Sequence, residues 1–398
     1  MQTNFDNQTH QIIENLKKAG TYKQLKHLES PMDAHSKMRE AGGEVIVLSS
    51  NNYLGLSNHP KVKKAAIDAI EKYGAGTASV RFICGTMSIH EELENEIAEF
   101  HKTEASTTYS SCWSANGGLF SAICNDGDVV ISDALNHASI IDGMRLVKKG
   151  VSKAIYAHSN MVELESKLQE YQNANNRFIV TDGVFSMEGD LAKMPEIVAL
   201  AEQYNATIIV DDSHGVGVVG KTGRGVAEHF NCMDKVDIIT GTLGKAIGGA
   251  AGGYVAGRKD IIDLLVQQSR SQIFSNGISP ATAGTALASF KIVNEQPQKV
   301  ISLQEKTTFF RNKLHEAGFK PLDGESAIVP IIVGETALAI SISNALLKEG
   351  FFVTGFGFPV VPEGTARIRV QISDALSYED MEKALNAFVK VGKEFNLI

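Results

Sequence analysis

The residues able to do chemistry gather where apolar runs end. Asp237-Ile-Ile-Thr-Gly-Thr242-Leu-Gly-Lys245 leads from a short apolar segment into one lysine. Four glycines and three alanines take seven of the next eight positions. So little side-chain bulk follows Lys245 that another group is expected to lie close to the backbone. An amine placed there, after hydroxyls able to hold an anion, suits Schiff-base chemistry. Taken alone, the stretch reads equally well as a surface lysine in a glycine-rich loop. Four other apolar runs end in polar loops: Ser111-Cys112-Trp113, Asp133-Ala-Leu-Asn136-His137, Asp182-Gly-Val-Phe-Ser186 and Asp211-Asp212-Ser213-His214. Each has a plain local explanation as a structural histidine, a turn-capping serine or a solvated acidic pair.

The elements that must position these loops alternate along the chain. Strands are expected at 107–110, 128–132, 153–156, 177–181, 206–210 and 236–240, with helices between them, including 115–123, 161–172 and 195–204. This βαβα order calls for a mostly parallel sheet with helices on both faces. Ligands of such sheets sit at the carboxyl ends of the strands. All five loops then share one edge, and together they fit pyridoxal phosphate (PLP). The lysine takes the aldehyde and a carboxylate faces the ring nitrogen. An imidazole stacks on the ring, a hydroxyl meets the phenolic oxygen, and a helix N-terminus holds the phosphate.

Upstream, an amphipathic helix is expected over 8–27, a strand over 44–49, and helices over 60–72 (opened by Pro60) and 88–100. Downstream, a long helical region (282–317) precedes strands at 327–333, 351–354 and 367–372 and helices at 336–349 and 378–393. The expected division is an N-terminal helix and strand segment (1–55), a large cofactor-binding domain (56–285) and a smaller C-terminal α/β domain (286–398).

Composition narrows the class. The net charge is −8, and no long basic run offers a nucleic-acid surface. No apolar run reaches membrane-spanning length, and the polar N-terminus lacks a signal-peptide core, so no membrane partner and a cytoplasmic location are expected. Cys84, Cys112, Cys124 and Cys232 form no CxxC pair, which argues against a disulfide scaffold or zinc site. One motif competes: Gly215-Val-Gly-Val-Val-Gly220-Lys221-Thr222 matches a phosphate-binding loop. That motif requires a helix to start at the loop, and Gly223-Arg-Gly225 opposes one.

The chain resembles the α-oxoamine synthases, a family of fold-type I PLP enzymes, over nearly its whole length. The resemblance is carried by Ser49-Ser-Asn-Asn-Tyr-Leu-Gly-Leu56, Val80-Arg-Phe-Ile-Cys-Gly-Thr86, Tyr109-Ser-Ser-Cys112 and Ser132 through Gly143. It is also carried by Thr181-Asp-Gly-Val-Phe-Ser-Met187, Asp237 through Lys245, and Phe358-Pro-Val-Val-Pro-Glu-Gly-Thr-Ala-Arg-Ile-Arg369. It implies an aspartate aminotransferase-like α/β fold with a mostly parallel, seven-stranded central sheet. It implies Lys245 as the Schiff-base lysine, Asp211 at the pyridine nitrogen, His214 and Ser186 near the phenolic oxygen, and His137 stacked on the ring. Ser111, Cys112, Trp113 and Thr242 would hold the phosphate, completed by Phe274 and Ser275 from the other subunit of a homodimer with shared active sites. Asn51 and Arg369 would bind substrate.

Trp113, Ser114 and Gln272 depart from the residues usual in the family. The similarity is strongest to members that interconvert 2-amino-3-oxobutyrate plus CoA with glycine plus acetyl-CoA in threonine breakdown. The reactions yielding 8-amino-7-oxononanoate, 5-aminolevulinate or palmitoylated serine remain alternatives, as does a non-catalytic PLP-binding regulator. Lys18, Lys23 and Lys26 are candidates for the CoA phosphates.

Overall fold

A computed structural model describes residues 3–22 and 24–398. Its central sheet has seven strands: β1 (Ala105–Tyr109), β2 (Val129–Asp133), β3 (Ser152–Tyr156), β4 (Arg177–Asp182), β5 (Thr207–Asp211), β6 (Ile238–Thr242) and β7 (Gly253–Gly257). Their order is β1-β7-β6-β5-β4-β2-β3. The β6-β5-β4-β2-β3 pairs are parallel, while β7 runs antiparallel to both β1 and β6. Strands covered on both faces lose the in–out alternation and read as continuous apolar runs. That is why Val-Val-Ile and Ile-Ile-Val stand out in the sequence.

The strand of this sheet missing from the sequence reading is β7, Gly-Tyr-Val-Ala-Gly, all five residues of which are buried. Its terminal glycines hide it, and packing requires them. A Cβ at Gly253 would lie 2.2 Å from the Cys112 amide nitrogen, and one at Gly257 would lie 2.8 Å from the Asp237 carbonyl.

Register does the positioning. Asp182 at the end of β4 sits opposite Asp211 at the end of β5, which sits opposite Thr240 of β6. The polar loops that follow are therefore in line at one edge.

Several helix bounds differ from expectation, each for a local reason. The first helix is Asn4–Lys18 rather than 8–27. Thr3 and Asp6 form a capping box at its start, and Gly20 stands just beyond its end at φ 67. It buries none of its residues in this chain. The helix after β1 starts at Cys112, three residues early, because Ser111 caps it by accepting from the Ser114 amide. The region 282–317 divides into Pro280–Glu295 and Gln298–Glu316 at Pro297, which pushes Gln296 out of helical geometry (φ −130, ψ 58). Helices Ala138–Arg145 and Lys259–Gln268 add to those expected.

Two small sheets lie outside the central one. Gly43–Val47 pairs antiparallel with His35–Met38 and parallel with Phe351–Phe352, so the N-terminal segment joins the C-terminal part of the chain. The second sheet places Ala366–Gln371 between Ile328–Gly334 and Thr354–Phe356. All six residues of Ala366–Gln371 are buried. Its period of two puts Arg367, Arg369 and Gln371 on one face and Ile368 and Val370 on the other, in the hydrophobic core. Among the described residues, no helix is long and apolar enough to cross a membrane.

Candidate active site

The aligned strand ends enclose a cavity of about 200 Å³. Asp211 is buried at its wall. Its Oδ2 accepts from Asn116 Nδ2 at 2.6 Å and its Oδ1 from the Ser213 amide at 3.0 Å. Asn116 stands one helical turn after Cys112, so both side chains reach the same carboxylate; the Cys112 Sγ is 3.6 Å from Oδ2. Burial, and then the charge of Asp211, push the Cys112 thiol well above its ordinary pKa, which keeps it protonated.

Lys245 follows Thr242 by three residues, and both line the cavity. Burial lowers the pKa of its amine, and the Asp211 carboxylate opposes that fall. Burial thus makes the proton easier to shed, as an attacking amine requires, while the Asp211 charge holds it. Asp182 faces the same space. Burial, then the Asp211 charge, raise its pKa well above the carboxylate range, while the His137 amide donates to its Oδ2 at 3.1 Å. The cavity therefore holds one anion, Asp211, beside an acid biased to neutrality.

His137 caps helix Ala138–Arg145. Its Nδ1 accepts from the Ser139 amide at 3.3 Å and meets the Ser139 hydroxyl at 2.8 Å. Its ring meets the half-exposed indole of Trp113 edge-on at 6.0 Å, and burial lowers its pKa. On another wall His214 is buried, with its Nδ1 2.9 Å from the Tyr53 hydroxyl. Burial, and then the Lys245 and Arg369 charges, depress it well below its ordinary pKa, so it is a neutral imidazole.

Arg369, on the strand Ala366–Gln371, does not line this cavity, although its charge acts on Lys245 and His214. Its Nη1 donates to the Ser186 carbonyl at 2.9 Å and its Nη2 to Gln371 Oε1 at 3.3 Å, while its guanidinium lies 4.5 Å from the Phe356 ring centre. Its Nε is buried with no partner. Its neighbour Arg367 is neutralised by Glu188 at 2.9 Å; no such carboxylate meets Arg369 among the described residues. An uncompensated buried cation with a free N–H is a receptor for an anion.

This set fits PLP: an amine for the aldehyde, a fixed carboxylate, two imidazoles biased to neutrality, and the capped N-terminus of a twelve-residue helix with Thr242 across from it. Asn51 connects to the set through Gln371, whose Nε2 donates to its Oδ1 at 2.6 Å. The Ser186 side chain does not line the cavity; its carbonyl holds Arg369 instead. Phe274, 67% exposed, and Ser275 also stand outside the cavity of their own chain. Lys18 and Lys26 are exposed and likewise do not line it, and Lys23 lies outside the described residues.

One expectation is corrected. The glycines after Lys245 do not make room for a ligand. Gly248 (φ +75) packs on Thr285 and Ser289, and Gly249 (φ +63) packs on Ser57, with hypothetical Cβ contacts of 2.7–2.9 Å, so protein occupies the space. The phosphate-loop look-alike serves an internal anion: the Thr222 and Arg224 amides both donate to Glu228 at 3.0 Å, and a Cβ at Gly220 would meet that carboxylate at 2.3 Å.

Residues that the sequence reading did not assign are Asn116, Tyr53, Gln371 and Ser139. Only the one-turn spacing of Asn116 from Cys112, and the place of Gln371 on the arginine face of its strand, could have pointed to any of them.

Comparison with known proteins agrees with this geometry. Residues 43–388 match the family described as aminotransferase class I and II. The chain is 48% identical over 387 residues to an 8-amino-7-oxononanoate synthase of Thermoanaerobacter pseudethanolicus, covering 97% of each. It is 47% identical over 381 residues to the mitochondrial 2-amino-3-ketobutyrate coenzyme A ligase of Bos taurus, covering 96% of this chain and 90% of that protein. Among solved structures, a Sphingomonas wittichii serine palmitoyltransferase superposes with a TM-score of 0.92 at 28% identity, covering 100% of this chain and 99% of that one. SPT carrying a PLP internal aldimine superposes at 0.93 with 28% identity, covering 99% and 98%. The chain belongs to the class I and II aminotransferase family of fold-type I PLP enzymes and, within it, to the α-oxoamine synthases. It is a PLP-dependent enzyme of the acyl-transferring type.

Proposed function

We propose that this enzyme is a glycine C-acetyltransferase, which cleaves 2-amino-3-oxobutyrate with CoA to glycine and acetyl-CoA in threonine breakdown and also runs in reverse. The observation that carries the reading is the 47% identity over 381 residues to a 2-amino-3-ketobutyrate coenzyme A ligase. The cavity of about 200 Å³ around Lys245 is room for the cofactor, and acyl chain length is decided by the assay below. Arg369 supports an amino-acid substrate, since its free Nε and planar fork match a carboxylate.

When bound, PLP supplies an electron-accepting ring that stabilises negative charge at the amino-acid Cα. The chain supplies the rest. Asp211, held by Asn116 and the Ser213 amide, keeps a fixed negative charge at the ring-nitrogen position. Lys245, whose proton burial makes easier to lose, takes the Cα proton and returns it. Arg369 and Asn51 orient the substrate. His137, biased to neutrality and anchored through Nδ1, presents its other ring nitrogen towards the acyl oxygen. The second subunit of a homodimer would close the site with Phe274 and Ser275, a reading supported by the exposure of Phe274 and of two further large apolar residues, Phe82 and Ile83, at 67%, 64% and 68%.

An 8-amino-7-oxononanoate synthase is the alternative, favoured by the 48% identical relative. The purified protein, assayed with acetyl-, succinyl-, pimeloyl- and palmitoyl-CoA against glycine, alanine and serine, is expected to prefer acetyl-CoA with glycine. A higher kcat/KM for a longer acyl donor with alanine would refute the assignment. Lys245→Ala is expected to lose both turnover and the visible absorbance of the lysine-bound cofactor.

A further inference from the structure

A chain of hydrogen bonds joins the substrate side of the site to the cofactor side, and its polarity is set at one residue. Gln371 Oε1 accepts from Arg369 Nη2 at 3.3 Å. Gln371 Nε2 lies 2.6 Å from Asn51 Oδ1 and 2.7 Å from the Tyr53 hydroxyl. That hydroxyl lies 2.9 Å from His214 Nδ1. A guanidinium has donors only, so the amide of Gln371 must turn its oxygen to Arg369 and its NH₂ to Asn51 and Tyr53. Tyr53 oxygen then accepts from Gln371, which leaves its single proton for His214. Full burial pushes Tyr53 up to about 12, so that proton is present. His214, neutral, accepts through Nδ1 and must carry its own proton on Nε2.

We infer that Gln371 is a positioning residue that fixes the tautomer of His214 and holds Arg369 free for a substrate carboxylate. Every donor in the chain is committed in one direction, from Arg369 through Gln371 and Tyr53 to His214. The Nε2–H of His214 is thereby a hydrogen-bond donor to the cofactor's phenolic oxygen rather than an acceptor. Asn51, whose oxygen is taken by Gln371, has its NH₂ left to donate. The inference rests on the reading of His214 and Arg369 as site residues, but not on which acyl group is transferred.

Gln371→Glu reverses the polarity without changing the shape. A carboxylate accepts from both Arg369 and Tyr53. The Tyr53 oxygen then accepts from His214, and the imidazole proton moves to Nδ1. The same carboxylate neutralises Arg369 and competes with substrate.

The test is ¹⁵N solid-state NMR of histidine-labelled, PLP-loaded, full-length protein, with the His214 signals assigned by their loss in His214→Asn. The parent is expected to show an unprotonated Nδ1 and a protonated Nε2, and Gln371→Glu the reverse, with the amino-acid KM raised at least tenfold. A protonated Nδ1 in the parent, or the parent pattern retained in Gln371→Glu, overturns the inference. Should Gln371→Glu fail to fold, Tyr53→Phe decides. Loss of the only donor to Nδ1 among the described residues is expected to replace the single tautomer by two populations, and an unchanged spectrum overturns the inference. A wrong acyl-donor assignment leaves all these spectra as predicted, so the two failures are separable.

Discussion

Replacing Arg369 by lysine keeps the positive charge and removes the fork. Arg369 already spends Nη1 on the Ser186 carbonyl and Nη2 on Gln371, which leaves the buried Nε and the outer N–H groups for a ligand. A lysine ammonium has three donors from one atom. Satisfying Ser186 and Gln371 from that one atom leaves fewer donors than the arginine fork offers, so at least one charge-assisted hydrogen bond to the substrate carboxylate is lost. Such a bond contributes about 1.5–3 kcal/mol, and at about 1.4 kcal/mol per factor of ten the expected penalty is roughly 10- to 150-fold. Because the carboxylate does not change during reaction, the loss belongs to uniform binding and falls on KM for the amino acid, with kcat little altered. Steady-state kinetics at saturating acyl-CoA read both parameters, with thermal unfolding alongside to confirm folding. An amino-acid KM within twofold of the parent, or a loss confined to the acyl-CoA KM, would refute the assignment of Arg369 as the carboxylate receptor.

Three other perturbations address separate parts of the argument. Asp211→Asn removes the one fixed anion of the cavity while preserving its shape, and turnover is expected to fall on the order of 100-fold or more; a loss under tenfold would mean that the charge is dispensable. Gly248→Ala places a Cβ 2.7 Å from Thr285 Cγ2 at φ +75, whereas Gly117→Ala points into open space. The first is expected to lower stability by about 2–5 kcal/mol and the second to leave it unchanged, and equal melting temperatures would restore the view that the glycine run serves the ligand. His158 is clamped by Asp133 and Asp190 at 3.0 Å each; against the cost of burial, these hydrogen bonds raise its pKa from 6.5 to about 10. A raised folded-state pKa stabilises most below the unfolded value. The stability advantage of the parent over His158→Asn should therefore be full below pH 6.5 and fade as pH rises to about 10; an advantage that grows over that range would contradict the clamp.

What could be read in the sequence was whatever depended on one strand and the turn after it. The parallel strands announced themselves as apolar runs because both their faces are covered. The loops at their ends were legible because the parallel order brings all of them to one edge. Asp211, His137, His214 and Lys245 were found in this way. The antiparallel β7 was invisible because close backbone packing at Gly253 and Gly257 stripped it of the bulky residues by which a strand is recognised. The glycines after Lys245 misled for a related reason: a small residue records that something is near the backbone but not what. Here the something is Ser57, Thr285 and Ser289, from two distant segments.

The sequence by itself therefore determined the chemistry available: an amine, a carboxylate, two imidazoles and an arginine, each tied to a local element by its neighbours. Only the tertiary structure decided their protonation and polarity. Asp182 is biased to neutrality by burial and by Asp211 from the adjacent strand, and His214 is held neutral by burial and by two cations far away in the chain. The direction of the hydrogen bonds from Arg369 to His214 depends on four residues that converge from three separated segments. Desolvation and charge act through space, and neither is written in local order.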